Sequence, residues 1–133
     1  FSNGMEQDRK FGEKLLEQIR ERGIKTELLA PGSAEEYVKM IGGFRCVFGA
    51  RLHACIVSYA LDVPAAGLIW NEKQALFSKL IGKEKAFFGG SQINARKIAD
   101  TMEREWNGHY DCGQREELKK EMRYFLFHFL DCI

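Results

Sequence analysis

Apolar residues along this chain fall into two kinds of stretch that alternate: short continuous runs, and longer segments in which they recur every third or fourth position. That is the pattern of an α/β domain, where buried strands read as apolar runs and the intervening helices are amphipathic. From Glu6 to about Arg22, Phe11, Leu15, Leu16 and Ile19 share one helical face, and Gly23 is a natural stop. KTELLA (25–30) predicts a strand closed by the Pro31-Gly32 turn. Ser33 with Glu36 makes a capping box for a short helix to about Ile41, stopped by Gly42-Gly43. FRCVFG (44–49) is the next predicted strand, 50–62 a helix, and AAGLIW (65–70) a further strand. Asn71 with Gln74 forms a second capping box, and Gly82 ends the helix it opens. AFF (86–88) predicts a short last strand before helices over 94–106 and 114–131. Short connections between so many alternating elements favour a mostly parallel, doubly wound sheet flanked by helices, in a single domain spanning 1–133.

In the helix over 50–62, Leu52, Cys55, Ile56, Tyr59, Ala60 and Val63 follow the helical period. Its first turn carries Arg51 and His53, next to Gly49 at the end of a predicted strand. Open parallel sheets bind ligands outside the carboxyl ends of their strands, where helix N-termini present unpaired N–H groups and a partial positive charge. Cations there run against the helix dipole, and a local rule broken without a visible structural gain points to function. Arginine offers a planar fork for carboxylate or phosphate, histidine an anion contact or a proton near neutral pH, and Gly49 a close backbone approach. The bland alternatives are a solvated arginine and a packed histidine. The next junction, WNEK (70–73), again sets a cation, Lys73, in a first helical turn, and adjacent parallel strands would bring the two junctions side by side. Lys73 read blandly is a solvent-facing helix lysine, and Trp70 a rim aromatic.

Composition narrows the ligand classes. Twenty Lys and Arg against 19 Asp and Glu leave a net charge of +1, so there is no basic footprint for nucleic acid and no polybasic membrane signal. Any anion site is local. Every long apolar run is interrupted by charge short of the roughly 20 residues a membrane span needs. Cys46, Cys55, Cys112 and Cys132 form neither a C-x-x-C pair nor a Cys/His cluster at zinc spacing, which predicts no metal site and reduced thiols in a cytoplasmic protein. The chain opens FSNGMEQD without an initiator methionine, which predicts a piece of something longer.

The run from Phe48 to Gly82, FGARLHACIVSYALDVPAAGLIWNEKQALFSKLIG, resembles the C-terminal region of polysaccharide pyruvyl transferases. In that family a strand ending in Gly or Ser precedes R-x-H, an apolar helix, a G-x-P-like turn, an apolar strand, a Lys-bearing helix start and a closing L-x-G. Here the turn is Asp62-Val63-Pro64, a departure that a helix C-terminus can absorb. FSNG with Asp8 resembles the family's T-N-G-x-x-x-D segment, Ser2 replacing Thr, so the likeness runs from Phe1 to Gly90. The resemblance implies a fold of two Rossmann-like halves facing a cleft, similar to glycosyltransferase-B enzymes, with this chain as the C-terminal half and an N-terminal half missing. It implies transfer of the pyruvyl group of phosphoenolpyruvate onto two sugar hydroxyls as a ketal, with no further cofactor. Arg51 and His53 would be catalytic, and Arg51, His53, Lys73, Gly49, Asn3 and Gly4 would bind substrate.

Two other readings compete. One is a glycosyltransferase-B-type domain binding a nucleotide-sugar, against which stands the lack of a Gly-rich diphosphate loop after a strand. The other is a non-catalytic α/β interaction domain. The last segment, 114–133, bears on it: Leu118, Met122, Phe125, Phe129 and Ile133 form one face, and Tyr124, Phe127 and Leu130 widen it. So wide an apolar face predicts burial on two sides, within this domain, against the missing half or in a homodimer.

Overall fold

The structure, a computed structural model, describes residues 5–130. The chain divides into two compact units, Phe1–Ala34 and Glu35–Ile133. In the first, α1 (Met5–Arg20) ends where predicted: Gly23 adopts φ +75°, its N–H donates to the Arg20 carbonyl (2.8 Å), and Ile24 N–H reaches back to Ile19 (3.4 Å). This is the Schellman ending, which needs a left-handed residue and so favours glycine.

The predicted strand at 25–30 is not formed. A strand exists only by pairing, and the described residues of this unit provide one helix and no second extended segment. The segment lies along α1 instead. A Cβ at Gly12 would stand 3.0 Å from Leu28 Cδ1, and Arg20 Nη2 donates to the Thr26 carbonyl at 3.3 Å.

The second unit is built on a small parallel sheet flanked by helices. After α2 (Ala34–Gly42), the strands β1 (Val47–Gly49), β2 (Ala65–Ile69) and β3 (Phe87–Gly89) lie side by side in that order. Val47 pairs with Ala65 and Gly49 with Gly67, while Gly67 also pairs with Phe87 and Ile69 with Gly89. α3 (Leu52–Ala60) joins β1 to β2, and α4 (Glu72–Leu80) joins β2 to β3. Strand order advances in one direction, so the described strands contain no reversal of the kind that marks the ligand crevice of a doubly wound sheet. The run 44–49 yields only three strand residues because Gly43 and Phe44 donate back to Met40 and Ile41 (3.1 Å each), finishing the turn of α2. Ala86 likewise belongs to a 3₁₀ turn, Glu84–Ala86, which shifts β3 one residue on from its predicted start.

β2, the central strand, has no exposed residue, as expected of a parallel strand covered on both faces. Cys55, Tyr59, Ala66, Ile81, Phe87, Phe88 and Tyr110 form the larger apolar cluster, and Ile41, Val47, Val63 and Ala65 a second. α5 (Ala95–Glu105) starts at Asn94, whose side chain accepts from Lys97 N–H at 3.1 Å. α6 (Cys112–Leu130) is held at its start, where Gln114 donates to the Leu80 carbonyl at 2.7 Å and Leu118 packs on the larger cluster. Met122 and Tyr124 are exposed; the side chains of Phe125, Phe127, Phe129, Leu130 and Ile133 lie outside the described residues. Among the described residues no helix is long and apolar enough to cross a membrane.

Candidate functional site

The carboxyl edge of the sheet gathers the two helix starts. β1 ends at Gly49, Arg51 is the N-cap residue of α3, and His53 is the second residue of that helix. β2 ends at Ile69, Asn71 caps α4, and Lys73 is its second residue. Because β1 and β2 are paired neighbours, the two junctions are adjacent. Arg51, His53 and Lys73 are all exposed, and Gly49 is buried. Asn3 and Gly4 lie outside the described residues.

The two helix starts differ electrostatically. No side chain caps α3 and its first turn contains no acidic residue, so nothing there offsets the dipole's positive end, which Arg51 reinforces. Ala54 N–H already donates to the Arg51 carbonyl at 3.1 Å, whereas the N–H groups ahead of it, on Leu52 and His53, precede the first intrahelical acceptor. α4 is conventional: Glu72 stands beside Lys73, and the capping box is complete, with Asn71 Oδ1 accepting from Gln74 N–H (3.3 Å) and Gln74 Oε1 accepting from Asn71 N–H (3.2 Å).

One acceptor ties the junctions together. The Ala50 carbonyl receives Trp70 Nε1–H at 2.8 Å and Gln74 Nε2–H at 3.2 Å. Gln74 is 1 % exposed and Trp70 62 %. Sequence reasoning identified the capping box but not this bridge, which depends on the pairing of β1 with β2 and has no local signal.

Gly49 owes its identity to packing. A Cβ there would lie 2.6 Å from Cys55 Sγ, so the absence of a side chain makes room for a helix residue. The Cys55 thiol faces the Gly49 carbonyl at 3.9 Å, and burial pushes its pKa up to about 11. Such a thiol is a packing group at neutral pH rather than a nucleophile. Among the described residues no group of three or more His, Cys, Asp or Glu could hold a metal ion.

The D-x-P turn proved more consequential than a tolerated departure. Asp62 adopts φ +59° at the end of α3, with Asp62 N–H donating to Tyr59 (3.2 Å) and Val63 N–H to Ser58 (2.8 Å). This Schellman ending repeats at α4 with Gly82 at φ +65°. Asp62 can hold the left-handed conformation better than most residues, and its carboxylate has partners. It accepts from Tyr110 N–H (3.3 Å), pairs with Arg115 Nη1 (2.5 Å) and stands 3.5 Å from His109 Nδ1. The missing glycine was the signal that could have revealed this anchor.

Fold and site define a parallel α/β domain whose sheet presents basic helix starts at its carboxyl edge. The family model described as polysaccharide pyruvyl transferase matches residues 2–72, more than half of the chain. The chain belongs to that family. The matched region takes in α1 to β2 with Gly49, Arg51, His53 and Trp70, and stops one residue before Lys73. No curated protein and no solved structure matches the chain.

Proposed function

We propose that this chain provides the phosphoenolpyruvate-binding wall of an enzyme that builds a pyruvate ketal on a sugar of a polysaccharide or its precursor. The observation that carries the reading is R-x-H, Arg51 and His53, at an acid-free helix start on the carboxyl edge of a parallel sheet, within the region matched by the family. The donor bears a carboxylate and a phosphate, and a basic helix start is suited to both. The wider fold in this reading is two Rossmann-like halves facing a cleft, similar to glycosyltransferase-B enzymes. A second half supplies the other wall, where the acceptor sugar binds.

The reaction follows from the donor's chemistry. A proton added to the methylene carbon turns it into the methyl group and leaves positive character on the central carbon. One sugar hydroxyl attacks that carbon and gives up its proton. The bond from the central carbon to the phosphate oxygen then breaks, and phosphate leaves with its electron pair. The second hydroxyl closes the ketal, and the two protons released balance the one placed on carbon and the one taken by phosphate. Arg51 holds an oxyanion of the donor with two parallel N–H contacts and stabilises the charge that departs with phosphate. His53 either delivers the proton or clamps the phosphate. Lys73 adds a point charge from the neighbouring junction.

Titration calorimetry with phosphoenolpyruvate on the full protein tests this. Arg51→Ala and His53→Ala each lower affinity by roughly ten- to a hundredfold, the value of a hydrogen bond between charged groups. Unchanged affinity and turnover in both variants refutes the assignment. His53→Gln separates its two roles, since a loss of turnover at full affinity marks the proton donor and a loss of affinity marks the clamp.

A further inference from the structure

The Ala50 carbonyl is the last acceptor before Arg51, and fixing it fixes the peptide plane that enters the α3 N-cap. Two donors converge on it, enough to occupy both oxygen lone pairs. Both come from the other junction: Trp70 Nε1–H at 2.8 Å and Gln74 Nε2–H at 3.2 Å. Gln74 is immobilised for this, being 1 % exposed and fastened to Asn71 through both its backbone N–H and its Oε1. Trp70 is a different case. At 62 % exposure the ring is not held by burial, and its single donor reaches back across 20 residues of sequence to this carbonyl. The Cys55 thiol also faces the Gly49 carbonyl at 3.9 Å and leaves no room for a Cβ at Gly49, so the Gly49–Arg51 turn is contacted by the helix it starts and by the neighbouring junction.

We infer that Trp70 and Gln74 are positioning residues: they clamp the Ala50–Arg51 peptide so that Arg51 and His53 are presented in one geometry, in register with the helix start that carries Lys73. The role in catalysis rests on the proposed pyruvyl transfer; the clamp itself does not. A displacement of about 1 Å in such groups is enough to cost roughly a hundredfold in rate, which is why a carbonyl remote from any chemistry merits two donors.

Two readouts on the full protein separate the clamp from the reaction. Trp70→Phe keeps an aromatic ring and deletes the donor, and Gln74→Met is the second variant should the first perturb the surface. Hydrogen exchange followed by mass spectrometry over residues 49–56 reports the clamp, with exchange of the Ala54–Ile56 amides, the first to be hydrogen-bonded within α3 and anchored on the Arg51 carbonyl, expected to rise at least about tenfold in Trp70→Phe while the melting temperature stays within about 2 °C of the parent. Phosphoenolpyruvate affinity is expected to fall about tenfold, and less than twofold when the same change is made in an Arg51→Lys background, where the fork to be positioned is already gone. Unchanged exchange in both variants overturns the clamp. Faster exchange with full affinity, in a protein whose Arg51→Ala variant binds phosphoenolpyruvate poorly, overturns the positioning role. If Arg51→Ala and His53→Ala bind and turn over normally, the transferase reading falls, and the exchange data alone decide the clamp.

Discussion

Replacing Gly49 by alanine tests whether the end of β1 is shaped by packing or by a ligand. The added Cβ would sit 2.6 Å from Cys55 Sγ, about 1 Å inside the ~3.5–4.0 Å at which nonbonded heavy atoms are comfortable. Cys55 is 1 % exposed and on a helix, so its side chain has few other rotamers to adopt. Overpacking of this kind costs about 1–3 kcal/mol, offset by a few tenths to 1 kcal/mol from the lost flexibility of glycine in the unfolded chain. The expected net loss is about 1–2 kcal/mol, a fall of roughly 3–8 °C in melting temperature followed by circular dichroism. Cys55→Ala alone costs about 1–2 kcal/mol by removing a buried sulfur. The double variant Gly49→Ala/Cys55→Ala should then be more stable than the sum of the two losses predicts, by about 1 kcal/mol, because the contacts left to the new methyl are ordinary ones, Arg51 O at 3.4 Å and Ala54 Cβ at 3.5 Å. Gly67→Ala is the control. Its Cβ would meet the Phe87 ring at 2.6 Å and Cys55 Sγ at 3.2 Å, so removing the sulfur leaves the main clash in place and gives little rescue. Gly49→Ala as stable as the parent, or the same loss with and without the sulfur, would refute the packing account and return Gly49 to the ligand.

Further outcomes concern pH and the D-x-P turn. Burial raises the Cys55 pKa from 9.0 to about 11, so the folded protein keeps a proton that the unfolded chain releases between those values. That stability is fully present below about pH 9 and is lost as pH rises towards 11, by up to about 2–3 kcal/mol. Tyr37, Tyr59 and Tyr110, also raised by burial, act in the same direction from about pH 10. Urea unfolding from pH 8 to 10.5 should show a shallower early decline in Cys55→Ala, and an identical profile would count against the shift. Asp62→Ala loses a hydrogen bond to Tyr110 N–H, a partly screened pair with Arg115 and a residue suited to positive φ, together about 2–3 kcal/mol. Asp62→Gly loses the same contacts without the backbone strain and should be about 1 kcal/mol more stable than Asp62→Ala; equal stabilities would refute a conformational role for position 62.

What could be read from the sequence was local chemistry. Gly23 and Gly82 were identified as helix ends because left-handed backbone favours glycine, and Asn71 with Gln74 as a cap because the two lie within one turn. The adjacency of the Arg51 and Lys73 junctions followed from the order of strands and the shortness of their connections. KTELLA failed for the complementary reason: a short apolar run gives a strand only if a partner exists, and partners are not local. The Ala50 bridge and the Asp62 anchor were hidden likewise, since their donors lie 20, 24 and 48 residues away. At Gly49 the residue is legible in the sequence but the packing against it is not. Glycine at a strand end reads equally as ligand approach or as tight packing, and the packing appears only once Cys55 Sγ is placed.

The two crossover helices share a plan that assigns different duties to the two edges of the sheet. Each begins at the carboxyl edge with a cation in or beside its first turn, and each ends in a Schellman turn at the amino edge, α3 through Asp62 and α4 through Gly82. At the carboxyl edge the helices are linked by the Ala50 carbonyl, and the exposed residues include Arg51, His53 and Lys73. At the amino edge the links run to the C-terminal segment, from Asp62 to Tyr110 and Arg115 and from the Leu80 carbonyl to Gln114. Asp62 stands where glycine would satisfy the backbone alone, and what the side chain adds is attachment of the segment that leads into α6. Changes at Asp62, Arg115 or Gln114 therefore act on stability without touching the cationic edge. Changes at Trp70 or Gln74 act on the cationic edge, and because Trp70 is largely exposed, its substitution does so with little effect on stability.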